Sequence, residues 1–255
     1  MSKKIVIGNW KMNPLTVKEA EKLFSDVAKI VSRTKKTEIV LCPPFIYLTE
    51  LAKIRTTKVK LGAQDAFYET VGAFTGEISG EMLYEVGVRY VILGHSERRA
   101  LGESNNEVNK KIKSALASGL RPILCVGESE RDHNHGYFSL VKTQIEECLV
   151  GISKNSIAKI IIAYEPIWAI SSTLDRKDAT ADDSREMTIF IRKILSDKFG
   201  KDAKNMRIIY GGSVTERDAQ DFIENGGVDG LLPGRTSLDA KKFSEIIKIC
   251  EVLNK

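Results

Sequence analysis

Eight short apolar stretches recur along the whole chain, separated by longer segments with helical patterning. Their hydrophobicity is continuous rather than alternating, which is typical of parallel strands covered on both faces. This alternation predicts an α/β fold, a (β/α)8 barrel of eight parallel strands with outer helices. The stretches are KIVIGNW from Lys4, EIVLCPP from Glu38, VKLGAQ from Val59, YVILGHS from Tyr90, RPILCVGE from Arg121, KIIIAYEP from Lys159, RIIYGGS from Arg207 and DGLLPGR from Asp229.

An open, doubly wound sheet is the alternative architecture, because strand order is not encoded in the pattern. Its nucleotide-binding signature, G-x-G-x-x-G after the first strand, is absent here. The helical segments, such as VKEAEKLFSDVAKIV from Val17 and ADDSREMTIFIRKIL from Ala181, carry apolar residues three and four positions apart. Thr16 and Thr215 are candidate N-caps of the first and seventh helices. Ser104 has Glu107 three residues later, which is the spacing of a capping box.

The composition is that of a globular protein with ample material for a core, at 42% hydrophobic and 29% charged residues. The formal charge of +5 is spread without a basic block, so we expect no nucleic-acid partner. We find neither a signal peptide nor an apolar stretch of spanning length, and we therefore expect no membrane partner and a cytoplasmic location. The four cysteines form no C-x-x-C pair and are predicted to be reduced. Since no linker or change of composition interrupts the chain, we predict a single domain over residues 1–255.

Polar side chains stand at the predicted C-terminal ends of several strands, where barrels of this kind build their active sites. The first strand ends in Asn9 and Lys11, the fourth in His95 and Glu97, and the sixth in Glu165. Together these residues supply a cation, a proton donor and a carboxylate base. Such a set is suited to general acid–base catalysis.

Glycine-rich turns follow the last two strands, at Gly211, Gly212 and Ser213 and again at Gly234. Backbone N–H groups in such turns bind phosphate in many barrels. The residues by themselves therefore predict acid–base chemistry on a small phosphorylated substrate. His133 and His135 share one segment without a third ligand nearby, so we predict no metal site.

Four of these segments resemble, in order and spacing, the signature segments of the triosephosphate isomerase family. The resemblance implies a TIM barrel that interconverts dihydroxyacetone phosphate and D-glyceraldehyde 3-phosphate by proton transfer through an enediolate, without metal or organic cofactor. The segments are GNWKMN from Gly8, GHSERR from Gly94, AYEPIWAI from Ala163 and YGGSV from Tyr210, and the similarity extends to GAQD from Gly62 and GAFTGE from Gly72.

The same resemblance implies a role for each polar residue at the strand ends. Glu165 would be the base and His95 a neutral electrophile, two roles for which this family is itself the standard illustration. Lys11 resembles the family's fixed cation, and Asn9 would help to place the substrate oxygens. Glu97 would hold either Lys11 or the end of the substrate.

Phosphate binding and assembly also follow from the resemblance. Segment 67–79 is similar to the loop by which family members reach into a partner subunit, which implies a homodimer. The chain departs from the family after Ile170, where SSTLDRKDAT replaces a shorter, glycine-containing lid, and in LPGR, which replaces a pattern ending in two glycines. The residues implied to bind the phosphate are Ser171, Gly212, Ser213, Gly234 and Arg235.

Two other functions are weighed against the isomerase. One is isomerase or aldolase chemistry on another sugar phosphate, although an aldolase would need a lysine where the sixth strand has Glu165. The other is a barrel binding protein whose catalysis is impaired by the atypical lid and Arg235. The presence of Lys11, His95 and Glu165 weighs against that loss.

Overall fold

The computed structural model describes residues 3–170 and 177–254, and its eight parallel strands close into a barrel. Each strand pairs with the next along the chain, and the first pairs with the last, with Ile5 opposite Gly230. The predicted fold is therefore confirmed, because a doubly wound sheet would have left two open edges. The strands are β1 (Ile5–Asn9), β2 (Glu38–Cys42), β3 (Val59–Ala63), β4 (Val88–Leu93), β5 (Arg121–Val126), β6 (Ile161–Tyr164), β7 (Arg207–Tyr210) and β8 (Gly230–Leu231).

Helices connect the strands and cover the outside of the barrel. Within the described ranges none of them is long and apolar enough to cross a membrane. The described α-helices are α1 (Val17–Ile30), α2 (Leu48–Ala52), α3 (Gly80–Glu85), α4 (Ser96–Ala100), α5 (Asn105–Ala117), α6 (Gly136–Cys148), α7 (Lys154–Ile157), α8 (Ala181–Phe199), α9 (Ala219–Glu224) and α10 (Ala240–Leu253).

The predicted helix starts are confirmed at two positions and wrong at a third. Capping boxes begin α1 at Thr16 and α5 at Ser104, where side chain and backbone bond reciprocally. Thr215 does not cap a helix, because α9 begins only at Ala219. The Thr215 hydroxyl instead accepts a hydrogen bond from the N–H of Arg217 in a turn that precedes α9.

The apolar side chains of the strands divide between two cores. Outward-facing residues such as Val6 and Leu41 pack in the layer between strands and helices. Inward-facing residues fill the barrel itself, so both faces of each strand are covered and the strands read as continuous apolar runs. The inward group consists of Ile5, Ile7, Val40, Cys42, Tyr90, Ile92, Ile123, Cys125, Ile161, Ala163, Ile209 and Leu232.

Charged side chains replace the apolar core at the mouth of the barrel where the strands begin. Glu38 Oε1 accepts hydrogen bonds from Lys60 Nζ at 2.5 Å and the Tyr90 hydroxyl at 2.6 Å, and its Oε2 accepts one from Arg207 Nη1 at 2.7 Å. Burial raises the pKa of Glu38, but these three hydrogen bonds together outweigh it and lower the pKa to about 2. The carboxylate therefore links β2 to β3, β4 and β7 across the barrel.

We predict that Glu38 makes a distinct contribution to acid stability. Because its pKa is lower in the folded chain than its ordinary value of 4.5, its stabilisation is present above pH 4.5 and is lost as the pH falls towards about 2. Glu38→Gln should flatten the pH dependence of the unfolding free energy in this window. At neutral pH it should lower that free energy by about 3 kcal/mol, since buried Arg207 loses its charged partner.

Denaturant titrations from pH 2 to pH 7 measure both effects. Glu130→Gln is the control, because Glu130 is exposed. A Glu38→Gln curve parallel to that of the unmodified chain below pH 4.5 would contradict the assignment.

Candidate active site

The C-terminal ends of the strands meet at the opposite mouth of the barrel, and the predicted polar residues meet there with them. Asn9 ends β1, His95 and Glu165 follow β4 and β6, and Gly211 follows β7. One pocket at this mouth contains Asn9, Lys11 and His95 together with the loops after β7 and β8. Glu165 lies beside it, at 3.3 Å from His95.

Lys11 is held through its backbone as well as its side chain. Its φ of 52° lies in the left-handed region, which is uncommon for a residue other than glycine. The Lys11 N–H donates to Asn9 Oδ1 at 3.0 Å, and its carbonyl accepts from Gln64 Nε2 at 2.8 Å. Its ammonium group pairs with Glu97 Oε1 at 2.5 Å. Gln64 was not among the predicted site residues, and its place directly after β3 is the one signal in the sequence for this positioning role.

The hydrogen bonding of His95 determines which of its ring nitrogens faces the pocket with a proton. His95 is the N-cap of α4, and its Nδ1 accepts the backbone N–H of Glu97 at 3.2 Å. A nitrogen that accepts such a bond carries no proton, so the ring is the neutral tautomer with its proton on Nε2. That N–H is available to a substrate oxygen.

Glu165 is 1% exposed and incompletely hydrogen bonded. Its Oε2 accepts the backbone N–H of Ser96 at 3.4 Å. Its Oε1 lies 3.3 Å from His95 Nε2 without the alignment of a hydrogen bond, and no other described group bonds to it. Burial, together with the charge of Glu165, raises the pKa of the adjacent Cys125 thiol well above its ordinary value. A buried carboxylate oxygen without a donor is characteristic of a functional group and is well placed to accept a proton.

Two glycines provide the space that Glu165 occupies. A Cβ on Gly127 would lie 1.9 Å from the backbone oxygen of Glu165, and one on Gly211 would lie 2.8 Å from its Cγ. Both distances are shorter than real Cβ contacts allow. The end of β6 and the side chain of Glu165 can therefore approach their neighbours only where these side chains are absent.

A buried network supports the segment that follows Glu165. Glu128, fully buried, accepts hydrogen bonds from the Tyr164 hydroxyl at 2.8 Å and from Trp168 Nε1 at 2.9 Å. Arg131 approaches the same carboxylate at 3.4 Å and pairs with Asp183 at 2.8 Å. Burial and the charge of Glu128 raise the pKa of Tyr164 well above its ordinary value. The sequence analysis missed Glu128, although it follows the fifth strand at the same end.

The lid predicted after Ile170 falls mostly outside the described residues, and so does Ser171. The described flanks of this segment approach each other, since the N–H of Lys177 donates to the carbonyl of Trp168 at 3.2 Å. The Ile167 N–H donates to the carbonyl of Glu128 at 2.8 Å. The segment thus starts and ends against the network that positions Glu165.

The predicted phosphate-binding residues Gly212, Ser213, Gly234 and Arg235 all line the pocket. Among the residues that the structure describes, no group accepts a hydrogen bond from the N–H of Gly212 or of Gly234. The Thr236 hydroxyl donates to the carbonyl of Val214 at 2.6 Å and so ties the loop after β8 to the loop after β7. The pocket therefore combines backbone donors on one side with Lys11 and His95 on the other.

Within residues 3–170 and 177–254, no cluster of three or more His, Cys, Asp or Glu side chains has an arrangement suitable for a metal ion. His133 and His135 are exposed. The four cysteines are free and buried.

Comparison with known proteins gives consistent matches over nearly the whole chain. The sequence model of the family described as triosephosphate isomerase matches residues 4–250. The triosephosphate isomerase of Caldanaerobacter subterraneus subsp. tengcongensis is 45% identical over 251 residues, which are 97% of this chain and 99% of that protein. That of Aquifex aeolicus is 44% identical over 96% of this chain and 98% of its own length. That of Endomicrobium trichonymphae is 41% identical over 97% of this chain and 99% of its own length.

We predict that Gly211→Ala displaces Glu165. The new methyl group would lie 2.8 Å from Glu165 Cγ, so the side chain must move by several tenths of an ångström or the β7 loop must withdraw. The unfolding free energy should fall by about 1–3 kcal/mol, as for other overpacked sites. A crystal structure and a denaturant titration of the variant test this. An unmoved Glu165 at unchanged stability would contradict the packing argument.

Proposed function

The chain belongs to the triosephosphate isomerase family, and from this premise we propose that Glu165, His95 and Lys11 carry the proton transfer. The reaction interconverts dihydroxyacetone phosphate and D-glyceraldehyde 3-phosphate, an intramolecular oxidoreduction used in glycolysis and gluconeogenesis. The observation that supports these roles best is the distance of 3.3 Å between His95 Nε2 and Glu165 Oε1 beside the pocket of Lys11. The three groups come from distant parts of the chain and serve one reacting centre.

Glu165 acts as the base. Its Oε1 is buried and receives no hydrogen bond from the described residues, so it can take the proton from the carbon next to the carbonyl. The proton then returns to the neighbouring carbon. Such a carbon is a weak acid, and a carboxylate can remove its proton only if the enediolate is stabilised as it forms.

His95 and Lys11 stabilise the enediolate. The Nε2 proton of His95 is donated to the carbonyl oxygen, because Nδ1 is already occupied by the N–H of Glu97. The Lys11 ammonium faces the negative charge that develops on the substrate oxygens, and Asn9 helps to place those oxygens. Glu97 pairs with Lys11 and holds the cation at the mouth.

The loops after β7 and β8 bind the phosphate. The N–H groups of Gly212 and Gly234, which donate to no described group, supply donors on that side of the pocket, with the backbone of Ser213 and Arg235 beside them. The backbone of Ser171 stays a predicted contact on the lid. Closure of the lid would exclude water and protect the enediolate from loss of phosphate.

The alternative functions gain no support from this geometry. Glu165 lies where an aldolase would need its lysine. A binding protein without catalysis would not need Lys11, His95 and Glu165 to lie close together. We propose that the enzyme works without metal or organic cofactor, in the cytoplasm.

We predict that Glu165→Asp lowers kcat on the order of 10²-fold, because the shorter side chain retracts the carboxylate by about 1 Å from the reacting carbon. KM should change little, since the phosphate-binding donors are untouched. A coupled isomerase assay on the purified chain measures both constants. Glu130→Asp is the matched control, being the same substitution at an exposed site. Absence of isomerisation in the unmodified chain, or an unaffected Glu165→Asp variant, would reject the assignment.

We further propose that the chain forms a homodimer through loop 67–79. The loop is closed at its base, where the Phe67 N–H donates to the carbonyl of Ile78 at 2.8 Å, and the Phe67 and Phe74 rings pack at 4.8 Å. At its tip Val71 is 82% exposed. Met12, beside Lys11, is 89% exposed and offers an apolar surface for a partner's loop.

We predict that Val71→Asp weakens the dimer and lowers activity, because a charge would be buried in the contact beside the partner's catalytic mouth. Light scattering at micromolar concentration should give a dimer for the unmodified chain and a larger monomer fraction for the variant. Val252→Asp is the control, since Val252 on α10 is similarly exposed at 77%. A fully active monomer would argue against the interface.

A further inference from the structure

A second cavity, of about 470 Å³, opens at the mouth of the barrel where the strands begin, opposite the isomerase pocket. The apolar side chains that fill the barrel separate the two. Among the described residues, six cationic side chains and one carboxylate, that of Glu38, line this cavity. The cations are Lys3, Lys35, Lys58, Lys60, Arg121 and Arg207.

The carboxylate is already shared among the groups around it. Glu38 accepts hydrogen bonds from Lys60, Arg207 and Tyr90, and the Tyr90 hydroxyl in turn accepts one from Arg121 Nη1 at 3.1 Å. Glu251, close by on α10, is bound by the backbone N–H groups of segment 35–37. Among the described residues that line the cavity, a single carboxylate therefore faces six cations.

Several donors at this site have no acceptor. Arg207 is 7% exposed, and its Nη2 is buried without a hydrogen-bond partner in the described part of the chain, as is Nε of Arg121. Leaving a buried guanidinium donor unpaired is unfavourable. The ammonium groups of Lys35 and Lys58 also make no hydrogen bond or ion pair with described residues. Lys35 and Lys58 line a space that a small ligand can occupy, and Arg121 and Arg207 are among its other lining residues.

We propose that this basic cavity binds a small molecule carrying two or more phosphate groups. Arginine forks and lysine ammonium groups together suit phosphate oxygens. The volume lies in the range of small-molecule sites. No aromatic side chain lines the cavity within the described residues, so recognition rests on the phosphates rather than on stacking with a nucleobase.

The experiment titrates inorganic tripolyphosphate into the full chain by calorimetry at low salt. We expect one molecule bound per chain, and inorganic monophosphate binding at least about tenfold more weakly. The double variant Lys35→Gln/Lys58→Gln should weaken tripolyphosphate binding about tenfold or more, because two unpaired cations are removed. The control Lys18→Gln/Lys241→Gln removes two exposed lysines that do not line the cavity, and should bind within about twofold of the unmodified chain.

Isomerase kinetics separate this site from the catalytic pocket. The Lys35/Lys58 double variant should keep its kcat and KM, and tripolyphosphate should not compete with triose phosphate at concentrations that saturate the calorimetric site. The proposal is overturned if tripolyphosphate does not bind, if monophosphate binds equally well, or if both double variants lose affinity alike. It is also overturned if the competitive inhibition constant equals the calorimetric dissociation constant, which would locate the ligand in the isomerase pocket.

Discussion

Closure of the parallel barrel is the constraint on which the active site depends. The strands pair in chain order, and the first pairs with the last, so the C-terminal ends of all eight lie at one mouth. Asn9 is paired opposite Cys42, and Tyr164 is paired opposite Tyr210. This register sets the position along the barrel axis of the residues that follow each strand. Strand pairing alone thereby brings together a cation, an imidazole and a carboxylate from remote stretches of the chain. Their approach does not depend on contacts between the three side chains.

Within that frame, backbone groups position the reactive side chains. The N–H of Glu97 fixes the tautomer of His95, and the left-handed backbone of Lys11 is held by two hydrogen bonds. Glu165 owes its place to missing Cβ atoms and to the buried network around Glu128. The described residues leave its carboxylate with little hydrogen bonding, which suits the proposed role of a base. Preorganisation of this kind stabilises developing charge without reorganising water at the moment of reaction.

The sequence predicted most of what depends on local pattern or strand position. Continuous apolar runs identified the strands, and the N-cap at Thr16 and the capping box at Ser104 were correct because the bonded groups lie within four residues of each other. Thr215 was wrong because Asp218 binds its N–H and hydroxyl in a turn, which delays the helix. The pair of Arg131 and Asp183 could not be predicted, since its partners are 52 residues apart and meet only after the barrel closes.

Charged groups at the opposite mouth connect strands that lead to the candidate active site. Glu38 on β2 bonds Arg207 on β7, so one half-buried carboxylate connects strands that are not neighbours in the barrel. Breaking such a pair leaves a buried cation unpaired. The energetic cost of this opposes distortion at that end of the barrel. β7 continues from Arg207 to Tyr210 and leads to Gly211, whose lack of a side chain makes room for Glu165. One strand of four residues therefore joins the polar cluster at one mouth to the proposed acid–base groups at the other.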